Sequence, residues 1–355
     1  MTRLEECMSK VQLVRQELMN SNCEAIVIKK QSNFSWITCG GRGFIGLASE
    51  NACASIVITE SEVFLVANNI EAPRILKEEL PADFCSPIIL DWPTDSTADS
   101  LLAERFSPYK TDIETEAWFK SKRMLLNKEE QLRYAEIGTA VAAALEDVCL
   151  HIQAGMSEFT VAGLVSAALW TQGIEPITLL VAADERSQTV RHYVPTSKTI
   201  QDGVIVSICA RSKGLIVSAT RSVAFSPDFA KNYDNLLNVE QAIWNATTPN
   251  TPLSDILETA KSAYHENNLT DEWKNHHQGG ATGYMARELR VDNFTSDKVL
   301  PTQAYAWNPS AKGIKCEDTI LLTNEGLKIL TPVSSKWPKV TKNNHIRPDI
   351  LRRNV

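Results

Sequence analysis

Three histidines, one glutamate and one cysteine carry most of the chemistry this chain could do. His192 lies between Arg191 and Tyr193. A histidine titrates near neutral pH, so one ring can take and return a proton within a single reaction cycle. His276 and His277 are adjacent and precede the pair Gly279-Gly280. Glu317 stands in Cys316-Glu317-Asp318-Thr319, where a carboxylate could pin an amine or guanidinium, or orient an imidazole. Cys209, His276, His277 and Glu317 are all zinc-type donors, but no ligand-spacing motif joins them. A small buried thiol and hydrogen-bonded loop histidines account for them as well. Ser207 and Ser218 have no histidine or aspartate signature nearby, so neither reads as a serine nucleophile.

These residues sit on recognisable elements. Residues 3–20 place Leu4, Val11, Val14 and Leu18 at helical spacing. AIVIKK, ASIVIT, EVFLVAN and SPIIL read as short strands, interleaved with helical segments at EAPRILKEEL and TADSLLAERF. Asn33–Thr38 leads into the turn Gly40-Gly41-Arg42-Gly43. The order predicts a compact α/β domain over residues 1–122. A long helix follows, capped by Asn127 with Glu130 three residues on, and a second helix capped by Ser157 and stopped by Gly173. VIVSICA and GLIVSATRSVAF form two strands around Arg211-Ser212-Lys213-Gly214. In the first, alternation puts Ile205, Ser207, Cys209 and Arg211 on one face; in the second, Ser218, Thr220 and Ser222 share a face. Two amphipathic helices and three short strands complete an α+β domain over residues 123–335. Residues 336–355 read as a basic, solvated tail.

Composition narrows the function classes. A formal charge of −7 and a pI near 5.5 argue against a nucleic-acid surface. No apolar run reaches the length of a membrane span or a signal-peptide core. Eight cysteines without a CxxC pair fit reduced thiols in a cytoplasmic protein.

Six segments, in order, resemble the creatinase/prolidase/Xaa-Pro aminopeptidase family, which has the pita-bread fold. They are AGMSEFTVAGLVSAALWTQG, VRHYVP, DGVIVSICARSKGLIVSATRSVAF, HHQGGATGY, AWNPSAKG and CEDTILLTNEGLKILT. The leading α/β domain resembles the N-terminal domain of creatinase and prolidase. The resemblance implies a two-metal site, and it implies where its ligands should be. Ser207 and Ser218 fall on the two metal-binding aspartates, Gly280 on the metal histidine, Asn308 on one glutamate and Glu317 on the last. Four carboxylates and an imidazole would answer the charge of two hard divalent ions. One carboxylate remains here, so no metal or other cofactor is expected.

The resemblance also implies that His192 is the substrate-side histidine. In creatinase, a relative that works without metal, the residue at that place transfers protons. The expectation is therefore a metal-independent, creatinase-like hydrolase or lyase acting at a C–N bond of a small zwitterionic or anionic substrate. His192 and Glu317 would be catalytic. Arg191, Arg211, Arg221, His276, His277 and Asn308 would bind substrate, with Trp36 and Arg42 reaching in from the first domain. A homodimer is expected on the resemblance alone. Two alternatives stay open: a non-catalytic binding protein on a degenerate peptidase fold, as in the peptidase-like domain of a histone chaperone, and an aminopeptidase or dipeptidase with an atypical metal arrangement.

Overall fold

The computed structural model describes residues 1–353. They form two compact units, 1–123 with 213–215, and 124–212 with the described residues from 216 onward.

The first unit is a five-stranded mixed sheet covered by helices. Helix α1 (Arg3–Ser21) opens with a capping box made by Thr2 and Glu5. Strand β1 (Ala25–Lys30) is followed directly by a short helix α2 (Gln31–Ile37), where the sequence suggested an approach to a turn. Strands β2 (Asn51–Thr59) and β3 (Val63–Asn68) form an antiparallel pair. The helix expected at EAPRILKEEL is one turn, α3 (Ala72–Arg74), widening into a π-helical turn over Ile75–Glu79. Strand β4 (Ser86–Leu90), helix α4 (Ala98–Phe106), strand β5 (Tyr109–Thr111) and helix α5 (Glu116–Arg123) complete the unit. The sheet order is β4-β3-β2-β1-β5. Its core holds Val27, Val57, Phe64 and Val66 against Leu102 and Phe106.

The second unit is built on a larger sheet. Helix α6 (Lys128–Cys149) starts at the capping box of Asn127 and Glu130, and helix α7 (Glu158–Trp170) starts where Ser157 accepts from the Thr160 amide. Strand β6 (Glu175–Ala183) and a single turn α8 (Arg186–Thr189) lead into the hairpin β7 (Gly203–Ser212) and β8 (Leu215–Ala224). Lys213 and Gly214 turn that hairpin with positive φ of 48° and 78°, the conformation a two-residue hairpin loop needs. Helices α9 (Tyr233–Ala246) and α10 (Leu253–Glu266) bury apolar faces in the main core. The remaining strands are β9 (Gly279–Thr282), β10 (Leu289–Arg290), β11 (Ala304–Trp307), β12 (Ser310–Ala311), β13 (Ile314–Lys315), β14 (Asp318–Thr323) and β15 (Gly326–Ile329). The sheet order is β10-β9-β11-β14-β8-β7-β6, with β15 paired to β14. This arrangement sets β7, β8 and the segment before β14 side by side. Side chains of Ser207, Cys209, Ser218 and Glu317 therefore meet, although up to 110 positions separate their parent residues.

The basic C-terminal segment is not a solvated tail. It forms the hairpin β16 (Lys339–Lys342) and β17 (His345–Pro348), then β18 (Leu351–Arg352), which runs parallel to β8. Arg347 is fully buried and pairs with Glu240 and Asp318. Its charge is spent inside the domain, where counting basic residues along the chain could not place it.

No described helix is long and apolar enough to cross a membrane.

Candidate functional site

A cavity of about 160 Å³ opens within the second unit, lined by His192, Ser207, Cys209, His276, His277, Arg287, Asn308, Lys315 and Glu317, with the apolar Leu180, Ile208 and Ala286. Sequence reading named six of these as substrate-binding, catalytic or ligand positions: His192, Ser207, His276, His277, Asn308 and Glu317. It noted Cys209 as a donor and missed Arg287 and Lys315.

Those two cations define the site. Arg287 Nη2 donates to Glu317 Oε1 at 2.7 Å, and Lys315 Nζ lies 3.0 Å from Glu317 Oε2. Burial alone would push the Glu317 carboxyl up; the Lys315 ammonium and Arg287 guanidinium instead hold it down at about 2. Burial would lower Lys315, and the Glu317 carboxylate raises it above its ordinary value. All three groups are thus charged at neutral pH, and together they carry a net charge of +1. Thr220 Oγ1, 3.5 Å from Glu317 Oε2, also hydrogen-bonds with Ser207 Oγ at 2.8 Å.

A pair of divalent ions does not fit these residues. Ser207 Oγ is engaged by Thr220, and Ser218 Oγ lies 3.3 Å from Cys209 Sγ. Gly280 has no side chain and no room for one: its φ is +151°, and a Cβ would fall 2.0 Å from the Leu289 carbonyl oxygen. Glu317 already faces two protein cations. At an effective dielectric constant near 20, a unit charge about 4 Å from either cation would be repelled by roughly 4 kcal/mol, and each divalent ion brings two.

The histidines form another part of the lining. His276 Nε2 lies 3.2 Å from His192 Nε2, and His276 Nδ1 lies 2.6 Å from the His277 carbonyl oxygen. A carbonyl can only accept, so His276 carries its proton on Nδ1 and presents a lone pair at Nε2. Since His276 Nε2 accepts, His192 donates from Nε2, and in its neutral form that leaves Nδ1 as the acceptor. Burial, helped by the charge of Lys315, pulls His276 down to about 3; burial and Arg287 pull His277 down to about 4. Both rings are neutral at pH 7. Asn308 is buried with its Oδ1 lacking a hydrogen-bond partner, as do His277 Nδ1 and Arg287 Nε.

Five predicted binding residues are placed elsewhere. Arg191 donates to Glu272 Oε2 (2.5 Å) and to the Ala311 carbonyl (3.1 Å). Arg211 shares the strand face of Ser207, but its Nε donates to Glu175 Oε2 on neighbouring β6 (2.5 Å). Arg221 is fully enclosed, held by Glu146 (2.7 Å) and Asp318 (3.0 Å). Trp36 is a core residue of the first unit, packed edge-on against Trp118 and Phe119. Each was singled out for its position along the chain, while its partner comes from a distant segment. Arg42, also in the first unit, is half-exposed and pairs with Glu79 at 2.9 Å.

Lys315 was legible: it precedes Glu317 by two positions, the spacing that puts two extended residues on one face. Arg287 gave no local signal, because its partner is 30 positions away.

Comparison with known proteins fits this arrangement of strands. The profile of metallopeptidase family M24 matches residues 133–324. An uncharacterized peptidase of Staphylococcus aureus strain MW2 is 24% identical over 209 residues, which is 54% of this chain and 59% of that protein. The chain thus spans little more than half the length of that curated relative. Among solved structures, the prolidase from Pyrococcus horikoshii OT3 superposes with a TM-score of 0.75 at 18% identity, covering 92% of this chain and 99% of the other. The Xaa-Pro dipeptidase from Bacillus anthracis gives 0.75 at 16% identity over 98% and 100%. The N-terminal domain of FACT complex subunit SPT16 from chickpea gives 0.64 at 15% identity over 94% and 96%. At these identities the structural matches speak to the fold, which is the pita-bread fold that the sequence resemblance implied.

Proposed function

The chain belongs to metallopeptidase family M24, and from that premise we propose that it is a member whose cavity works without the paired metal ions, as a hydrolase cleaving a C–N bond in a small anionic or zwitterionic substrate. The observation that carries this reading is the Arg287–Glu317–Lys315 cluster, which sets two fixed cations where a metal-dependent relative needs anionic ligands. The cavity's net positive charge suits a carboxylate or similar anion. The bare Oδ1 of Asn308 suits an N–H donor on the same molecule. Its volume, about 160 Å³, is below the roughly 300 Å³ at the lower end for drug-sized ligands, which favours a substrate of few atoms.

In this reading, His192 Nδ1 takes a proton from the attacking water while the water oxygen bonds to the substrate carbon. The C–N bond then breaks, and the nitrogen leaves with the proton from His192. His276 supports the charged intermediate state of His192 by accepting its Nε2 proton in a hydrogen bond. Burial keeps His276 from taking that proton outright. Glu317 holds the two cations in place; it does not act as the base, since it is ion-paired on both oxygens.

The test is turnover of a panel of small amino- and acylamino-carboxylates followed by mass spectrometry. Turnover that survives chelator and falls by about 10²–10⁴-fold in His192→Ala supports the proposal. Turnover abolished by chelator and restored by manganese refutes it. So does the absence of both turnover and binding across the panel, which would favour a non-catalytic role.

A further inference from the structure

We propose that His192, His276 and His277 form a binding site for one late first-row divalent transition ion, and that its occupancy silences the cavity. One ring nitrogen from each histidine lies within 4.8 Å of the other two. The 3.2 Å between His192 Nε2 and His276 Nε2 is close to the ~3.4 Å that separates two donors at 2.0–2.1 Å on a tetrahedral zinc ion. The ring of His276 is already set for this role: its Nδ1–H is given to the His277 carbonyl, which fixes both the orientation and the ligating lone pair. His277 Nδ1 has no hydrogen-bond partner. A modest rotation of that ring completes a three-imidazole set, with a fourth position left for water.

The donor set selects the ion. Imidazole nitrogens suit zinc, copper, nickel or cobalt, whereas manganese, magnesium and calcium prefer carboxylate and carbonyl oxygen. Lys315 and Arg287 repel any cation here, so the affinity falls short of a structural zinc site; Glu317 offsets one of those charges.

Silencing follows from the proton positions, and this part rests on the proposed reaction. Without an ion, the His192 proton sits on Nε2 and Nδ1 is the base. An ion on Nε2 requires a lone pair there, so the proton shifts to Nδ1. The ring is then capped at both nitrogens and can accept nothing.

The test uses the untagged full chain, stripped with chelator and titrated with Co²⁺, whose visible spectrum reports tetrahedral nitrogen coordination. The expected result is one equivalent bound with a dissociation constant on the order of micromolar. Binding weakens at least ~10-fold in His276→Ala and in His277→Ala, and is unchanged in His265→Ala, an exposed histidine on α10. Zn²⁺ competes for the same site, while Mn²⁺ does not. If a variant misfolds by circular dichroism, protection of His192 in the wild-type chain from diethyl pyrocarbonate by Zn²⁺ gives the same readout. No cobalt spectrum up to about 100 µM, or a spectrum indifferent to both variants, overturns the site. Zn²⁺ inhibition of turnover over the same concentration range supports silencing; turnover that persists with the site filled refutes silencing alone. Because the cobalt spectrum needs no substrate, failure of the metal site and failure of the proposed reaction are read separately.

Discussion

Glu317 and Asp318 are neighbours in the chain and belong to two opposite solutions for a buried charge. Asp318 bridges Arg221 and Arg347, which in turn hold Glu146 and Glu240; every contact is between 2.7 and 3.0 Å. That network is sealed, and its acids outnumber its bases by one. Glu317 faces the cavity, where the bases outnumber the acid by one and Asn308 Oδ1 and His277 Nδ1 lack partners. A sealed network in which each charge meets its opposite fixes the fold. A lined cavity with surplus positive charge is what the proposed anionic substrate requires. Consecutive residues at the start of β14 point to opposite sides of the sheet, so one short segment serves both.

The largest difference between the two clusters should appear on breaking them. Arg347→Met leaves Glu240 without its enclosed cation and three acids facing Arg221 alone, and unfolding by urea should show a loss of about 3–5 kcal/mol. A loss under about 1 kcal/mol would mean that the network is not a structural keystone. Glu317→Gln should cost less, about 1–3 kcal/mol, because Arg287 is partly exposed and Lys315 can draw on cavity water. The same change should tighten binding of small carboxylates, measured by calorimetry. Weakened binding would show that the cations need Glu317 to position them. Smaller still in stability is His192→Ala, which should shift unfolding by no more than about 0.5 kcal/mol while removing turnover.

The pH dependence separates the wall of histidines from the ion cluster. His276 and His277 have folded values of about 3 and 4, below the ordinary 6.5. The unfolded chain therefore binds protons first, and stability that is complete above pH 6.5 declines as pH falls towards those values. Glu317, lowered from 4.5 to about 2, adds a further decline that begins only below 4.5. Replacing His276 with Gln should make the decline between about pH 6.5 and 3 shallower, leaving the part that His277 contributes and the further decline that Glu317 adds below 4.5. A curve unchanged by that variant would contradict the buried, neutral state assigned to His276.

The same contrast explains what was legible in the sequence. Local signals held: the capping box at Asn127 and the N-cap at Ser157, the alternation in β7 and β8, and the turn at Lys213-Gly214 all describe neighbours along the chain. The alternation correctly grouped Ser207 with Cys209, and the resemblance correctly brought Ser207, Asn308 and Glu317 to one cavity. Charge partners were not legible. Arg221 finds Glu146 across 75 positions and Arg347 finds Glu240 across 107, so one residue that looked like a ligand for a substrate and one that looked like part of a solvated tail both serve the protein itself. Arg287, one of the two cations at the cavity, sits in a turn whose sequence carries no periodic pattern. The resemblance implied which acids to look for; only the fold shows that Arg287 and Lys315 stand beside Glu317.

The most direct test is an anomalous scattering map from crystals grown with both Mn²⁺ and Zn²⁺. The account predicts no peak between Ser207, Ser218 and Glu317, where Lys315 and Arg287 stand, and a single zinc peak among the three histidines. Two metal peaks against Glu317, with Lys315 and Arg287 turned away, would contradict it.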